Sequence, residues 1–275
     1  AECIAFLQWA LPQLRLRWAG FRKVLSQVCK RLGRRLESLG LKSLEDYRAR
    51  LASDPQEWVA LDDLCRITIS RFYRDKGVFR TLAYVVLPIL ARRAQAEKRD
   101  VTCWSAGCAS GEEVYSLKII WDALVAPASG CVNLTMIGTD IDDAVLERAQ
   151  VGCYPRGTLR EMPDMLIEGH FDVRGDLLCV TEEHRRGITF AKQDIRTVMP
   201  AGPFDLVLCR NLVFTYFEPE LQRRVLSGLV TRLRPGGFLV IGAHETLPER
   251  VTGFAPLPEC RQILRYDANA DERLQ

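Results

Sequence analysis

The stretch "WSAGCASGEEVYS", Trp104 to Ser116, sets small residues around a tight turn and places two carboxylates, Glu112 and Glu113, where a helix begins. A glycine-rich turn from strand to helix ordinarily receives a phosphate, because the helix N-terminus offers free N–H groups and the positive end of its dipole. Two glutamates at that point repel phosphate. The turn has neither the G-x-G-x-x-G spacing of dinucleotide folds nor the Gly-Lys-Ser/Thr of a Walker loop. It suits a cation instead, such as a ligand ammonium, and one of the two glutamates reads as an ordinary helix-start acid. Gly107 and Gly111 let the backbone approach a ligand closely.

Three further sets of residues close predicted strands, and ligands of open α/β sheets bind beyond strand ends. Asp140 ends "LTMIGTD", where an acid accepts hydrogen bonds from ribose hydroxyls. Asp194 follows "ITFAKQ", where a carboxylate can accept from an exocyclic adenine amine. Cys209-Arg210-Asn211 ends "FDLVLCRN", a strand expected beside the first, so its end overlooks the reactive part of a ligand. Asp142 or Asp143 reads as the cap of the next helix. Together these favour a nucleoside that carries an amino acid and no phosphate, namely S-adenosylmethionine. His170, His184 and His244 do not cluster in sequence and read as surface or packing residues. No metal-ligand set is apparent.

These residues need a scaffold. From Val101 onward short apolar strands alternate with amphipathic helices, the pattern of a parallel sheet covered on both faces. The strands read as "VTCWSA", "LTMIGTD", "ITFAKQD", "FDLVLCRN" and "GFLVIGA", with "CRQILRYDA" as a further antiparallel edge strand. Residues 155–187 interrupt the rhythm, and "FDVRGDLLCV" suggests a small β-hairpin insert. Residues 1–95 read as an all-helical N-terminal domain, "ARRAQAEKRD" as a linker, and 96–275 as the cofactor-binding domain. In the helix "GFRKVLSQVCKRLGRRLESLGL" the apolar face is Val24, Val28, Leu32, Leu36 and Leu39. Lys23, Lys30, Arg31, Arg34 and Arg35 form a basic face, and Gly40 stops the helix.

The chain has 275 residues and a net charge of +3. The charge is uneven, with 20 basic and 11 acidic side chains in residues 1–100 and a net negative remainder. That asymmetry suggests an acidic partner for the first part. The basic helix lacks the interleaved aromatics of a nucleic-acid surface. No apolar run spans a bilayer, and "AECIAFLQWALPQL" reads as a helix and not as a signal peptide, so a cytoplasmic protein is expected. The 10 cysteines contain no C-x-x-C pair and read as free, mostly core thiols rather than a disulfide framework or zinc site.

The sequence also resembles a known family, the chemotaxis receptor (protein-glutamate) O-methyltransferases. "SRFYRD" is similar to the family's T-x-F-F-R, "WSAGCASGEEVYS" to A-S-T-G-E-E-P-Y-S, and "TDIDDAVLERAQVGCY" to S-D-I-D-x-x-V-L-x-x-A-R-x-G-x-Y. "GPFDLVLCRN" and "LVTRLRPGGFLVIGAHE" match late motifs, and "CKRLGRRLESLGLKSLEDYRARL" looks like the helical N-terminal domain. The resemblance implies a Rossmann-like class I methyltransferase with S-adenosylmethionine as cofactor and S-adenosylhomocysteine as product. It implies cofactor-site roles for Thr68, Ser70, Arg74, Ala106, Gly107, Glu112, Asp140, Ile141, Asp194, Ile195, Arg210 and Asn211, and catalytic roles for Arg74 and Tyr216. Asp194 stands where the family has an asparagine. "CRNLVFTYF" is one residue longer than the family's C-R-N-V-x-I-Y-F, so Tyr216 or Thr215 takes the place of the site tyrosine, and G-H-S-E-N becomes "GAHETL". The expected acceptor is an acidic protein segment such as a chemoreceptor helix. The alternatives are a small molecule or another protein as acceptor, or an S-adenosylmethionine-binding sensor without turnover.

Overall fold

In the computed structural model, which describes residues 2–248 and 252–268, strand β1 (Val101–Ala106) lies at the centre of the larger of two compact units. That unit comprises residues 68–214 and the chain from 223 onward. Its other strands are β2 (Leu134–Asp140), β3 (Cys153–Pro155), β4 (Phe171–Arg174), β5 (Leu177–Val180), β6 (Ile188–Lys192), β7 (Phe204–Leu208), β8 (Leu233–Val240), β9 (Phe254–Leu257) and β10 (Cys260–Tyr266). The main sheet runs β6-β2-β1-β7-β8-β10-β9. Its first five members pair in parallel, and β10 is antiparallel to β8 and β9. β10 was expected at the edge, but β9 covers it. β9 carries Pro256 and only four residues, too weak a period-2 signal to stand out from a loop.

Apolar side chains bury β1 on both faces: Val101, Cys103, Trp104 and Ala106 are all buried. Glu112–Ile120 forms the helix after the turn, and Asp143–Val151 the next, with Asp142 as N-cap accepting from Ala144 N at 2.9 Å. The expected hairpin insert is a three-stranded sheet, β3-β5-β4. Residues 76–96 are one helical run, interrupted by a π-helical stretch at Leu82–Val86. The helix therefore continues to Ala96 through most of the segment read as a linker, because Leu90, Ala91 and Ala94 are buried in the core that includes β1. The division after Ile67 likewise differs from the boundary drawn at 95.

The smaller unit comprises residues up to 67 together with Thr215–Gln222. Its helices are Glu2–Gln13, Trp18–Phe21, Leu25–Leu39, Leu44–Ser53 and Pro55–Leu64. Gly40 ends the third with φ 68°, the left-handed conformation that a glycine tolerates best. Buried Glu57 accepts from Tyr47 Oη at 2.6 Å and from Arg35 Nε and Nη2 at 2.9 and 2.7 Å. Arg31 donates to the carbonyls of Leu64 and Arg66. Two of the five residues assigned to the basic face thus serve internal packing, and Lys23, Lys30 and Arg34 are its exposed cations.

The cysteine reading needs correction. Cys3–Cys29 and Cys153–Cys179 are disulfides, each spanning 26 residues. The second pair sits directly opposite across β3 and β5. No short spacing motif marks either pair, since the fold and not the sequence interval brings the partners together. Cys65, Cys103, Cys108, Cys209 and Cys260 are buried free thiols, as expected for core residues.

One buried ion pair fastens the start of β1 to β7. Asp205, 1% exposed, accepts from Arg99 Nη1 and Nη2 at 2.7 and 2.8 Å and from Thr102 N at 3.0 Å. Asp205→Ala takes the buried carboxylate from a largely buried guanidinium and leaves it only the half-exposed Glu97, which meets its Nε at 2.6 Å. We expect a loss of about 3–5 kcal/mol in urea unfolding; a change below about 1 kcal/mol, the scale of a surface pair, would contradict this reading.

Candidate cofactor site

The turn between β1 and its helix is pinned to the end of β2. Gly107 N and Cys108 N both donate to Thr139 O, at 2.8 and 2.9 Å. Asp140 Oδ2 accepts from Ala109 N at 2.9 Å and Oδ1 from Asp142 N at 3.1 Å. Burial raises the Asp140 carboxyl above its ordinary range, with these backbone donors working against the rise. Each carboxylate oxygen retains a further lone pair for a ribose hydroxyl.

Gly107 and Gly111 have φ of 74° and 86°. A Cβ on Gly111 would lie 3.0 Å from Ala149 and 3.1 Å from Phe190, and one on Gly107 2.5 Å from Leu212. Both glycines serve close packing of protein on protein, which differs from the ligand approach read from the sequence.

The two glutamates have different partners. Glu113 accepts from Ser105 Oγ at 2.8 Å and from Arg210 Nη1 at 2.8 Å. Glu112 is 5% exposed, and its Oε2 has no hydrogen-bond partner. Burial raises its carboxyl above the usual range, opposed by its own backbone N–H and by the Ser70 hydroxyl. An orphaned buried carboxylate oxygen is costly, and a ligand ammonium is the group that would satisfy it. The structure therefore fits the amino-acid end of S-adenosylmethionine at Glu112.

Arg210 was expected among the cofactor-binding residues. Two carboxylates and a carbonyl claim its side chain: Nη1 meets Glu113, and Nη2 meets Asp75 Oδ2 at 2.6 Å and Arg74 O at 2.9 Å. Residues 68–75 belong to the larger unit. They are held further by Tyr73 N donating to Ser116 Oγ at 2.9 Å and Phe72 N to Thr158 O at 3.1 Å. Ser70 and Arg74 are thus fixed beside the turn, and Arg74 Nη1 donates to Ile69 O at 2.8 Å. Thr68 is half-buried at the start of the same segment.

Asp194 is bound bidentately by Arg196, with Nε–Oδ1 and Nη2–Oδ2 both 2.9 Å. Its carboxylate is consequently shared with that guanidinium rather than wholly open to an adenine amine. Ile195 is buried and Ile141 half-buried, each just past its strand end. Asn211 is left-handed at φ 55°, and its N–H donates to the buried Glu245 at 2.8 Å. Tyr216 falls in the smaller unit, where its ring packs on Phe21 with centroids 5.1 Å apart and its carbonyl accepts from Arg17 N at 2.8 Å. Thr215 O accepts from Arg17 Nε at 2.8 Å.

Tyr154 and Glu245 each end a stretch quoted for the resemblance but were assigned no role. The Tyr154 hydroxyl donates to Ser110 O in the turn at 2.6 Å, and Glu245 also accepts from Gly242 N at 2.6 Å. Nor did the histidines stay apart: His170 stacks on His184 at 4.7 Å, and His184 Nδ1 lies 2.7 Å from Asp122. The fold unites residues that sequence distance separates.

The raised Glu112 carboxyl has a consequence for stability. A folded pKa above the unfolded one means that the carboxyl's contribution is fully present below the unfolded pKa and is lost as pH rises through the folded pKa. Glu112→Gln removes this penalty at neutral pH. In the ligand-free protein the melting temperature of the variant should rise relative to wild type between about pH 4 and 7. A gap that stays flat over that range would contradict burial as the cause.

The chain matches the family model "CheR methyltransferase, SAM binding domain" over residues 68–262 and "CheR methyltransferase, all-alpha domain" over residues 25–64. It is 34% identical over 232 residues to a chemotaxis protein methyltransferase of Klebsiella aerogenes, covering 81% of this chain and 76% of that one. It is 31% identical over 227 residues to the chemotaxis protein methyltransferase of Escherichia coli K12, covering 79% and 75%. A 104.1 kDa protein of Rhodobacter capsulatus is 31% identical over 237 residues, which span 86% of this chain but 25% of that protein. Among the described residues no helix is long and apolar enough to cross a membrane. With these matches covering both the turn and the helical segment, the chain belongs to the CheR methyltransferase family, and residues 68–262 are its S-adenosylmethionine-binding methyltransferase domain.

Proposed function

We propose that the chain esterifies carboxylates of an acidic protein acceptor, of the kind a chemoreceptor helix presents, with the methyl group of S-adenosylmethionine. The observation that carries this reading is the division between Glu112 and Glu113: one carboxylate keeps an oxygen without a hydrogen-bond partner, open to an ammonium, and the other locks Arg210.

When bound, S-adenosylmethionine supplies an electrophilic methyl on a sulfonium. Glu112 accepts the ligand ammonium, and Asp140, oriented by the Ala109 and Asp142 N–H groups, accepts from the ribose. An acceptor carboxylate is already ionised at neutral pH, so the chain needs no general base. A bond forms from its oxygen to the methyl carbon as the carbon–sulfur bond breaks. The contribution of the protein is then alignment and electrostatics. Arg74, anchored through its own carbonyl to Arg210, orients the anionic acceptor by charge-assisted hydrogen bonds. In the smaller unit, Lys23, Lys30 and Arg34 present positive charge suited to an acidic acceptor.

The test is transfer from tritium-labelled S-adenosylmethionine to membranes bearing chemoreceptors, followed by alkaline release. Volatile tritiated methanol is expected; alkali-stable label would point to a different acceptor atom. Arg74→Ala should lower kcat by roughly 10²-fold, with S-adenosylhomocysteine affinity held within about twofold. An equal loss in both would make Arg74 a binding residue instead.

A further inference from the structure

We infer that the larger unit holds a second ligand site, for a phosphate-bearing small molecule, in the pocket between the segment after β6 and the stripe Arg224–Gly228–Arg232. The pocket has a volume of about 530 Å³ and is lined by Ile195, Thr197, Met199 and Gly228 besides three arginines, with no carboxylate in its wall. Arg224 and Gly228 lie one turn apart on the helix Pro219–Val230, and Arg232 follows in the turn that leads into β8.

The three guanidiniums differ in what they have left to give. Arg196 is committed to Asp194 and forms a neutralised wall. Arg224 makes one hydrogen bond, Nη2 to Arg196 O at 3.1 Å. Arg232 folds back, with Nη1 2.9 Å from Gly228 O and 3.1 Å from Thr231 Oγ1, and Nε 2.9 Å from Pro200 O. Neither Arg224 nor Arg232 has a carboxylate within ion-pair distance among the described residues. Their remaining N–H donors are Nε and Nη1 of Arg224 and Nη2 of Arg232.

The fold-back of Arg232 matters to the geometry. Its Nη1 lies 3.9 Å from where a Gly228 Cβ would stand, so its charge sits at the level of residue 228, one helical turn from Arg224. Two uncompensated guanidiniums one turn apart match the charge and the forked acceptors of a phosphate monoester dianion. Gly228 lets Met199 pack closely on the helix, since a Cβ there would come within 2.8 Å of Met199 Sδ and Cε. The Met199 thioether and Ile195 then offer an apolar, polarisable floor for the organic part of the ligand, such as a nucleobase.

Apart from Ile195, the residues concerned lie outside those expected at the cofactor site, and the test keeps the two sites apart. Calorimetric titrations with guanosine monophosphate, ribose 5-phosphate and inorganic phosphate are run at low salt, with excess S-adenosylhomocysteine present throughout. Binding of the phosphate esters is expected, weakening with added salt. Arg224→Gln should weaken it by about tenfold or more, the scale of a charge-assisted bidentate contact. Arg224 is the variant of choice because it makes only one internal bond; Arg224→Gln with Arg232→Gln should abolish binding, with helicity checked by circular dichroism. Guanosine monophosphate binding more tightly than inorganic phosphate identifies a nucleotide as the source, and equal binding identifies the free anion; both support the site. Heats that do not differ between wild type and Arg224→Gln, or no saturation by any of the three probes, would overturn it.

Discussion

Arg210 is a guanidinium with a 3% exposed side chain at the end of a central strand, and such a charge is tolerated only when paired and hydrogen-bonded. The partners come from two places in the chain. Glu113 is at the start of the helix Glu112–Ile120, and Asp75 and the Arg74 carbonyl are in the segment before the helical run. Phe79 lies beneath, with its ring centroid 5.4 Å from the guanidinium carbon. Removing any carboxylate would leave a buried cation under-compensated, so the network fixes the 68–75 segment against the turn. The two glutamates of the turn thus differ in use. Glu113 is consumed by structure, and among the described residues Glu112 is the one buried carboxylate with an oxygen lacking a hydrogen-bond partner.

The same turn is gripped from its other side by the insert. Tyr154 on β3 donates to Ser110 O and meets Phe72 edge-on at 4.8 Å, while Tyr115 donates to Ala149 O at 2.7 Å. β3 pairs with β5, and Cys153–Cys179 crosses that pair. The insert therefore buttresses the ligand-facing turn as well as interrupting the sheet rhythm. Asp140 is held by two backbone N–H groups, one from the turn and one from its own loop.

Local features were legible in the sequence because they depend on local chemistry. Strands β1, β2, β6 and β7, the caps at Ser43 and Asp142, the glycine stop at Gly40 and the placement of Glu112 and Asp140 beyond strand ends all follow from periodicity and turn residues. Long-range partnerships were not legible. That the Arg210 side chain is held by Asp75, 135 positions away, shows only in the fold. Gly111 reads as room for a ligand until Ala149 and Phe190 are seen to fill that space. The disulfides, the stacking of His170 on His184, and the packing of Tyr216 on Phe21 share this character. In each, sequence shows the group and only the fold selects the partner.

The central claim is that Glu112 is reserved for the ammonium of the ligand's amino-acid end. It is tested most directly by a two-by-two comparison of S-adenosylhomocysteine with 5′-methylthioadenosine, which lacks that end, against wild type and Glu112→Gln. The account predicts that the wild type prefers S-adenosylhomocysteine strongly and that Glu112→Gln removes about 1.5–3 kcal/mol of this preference, the scale of a hydrogen bond to a charged group. An identical preference in both proteins would contradict it, because the unpaired carboxylate would then contribute nothing to recognising the ammonium.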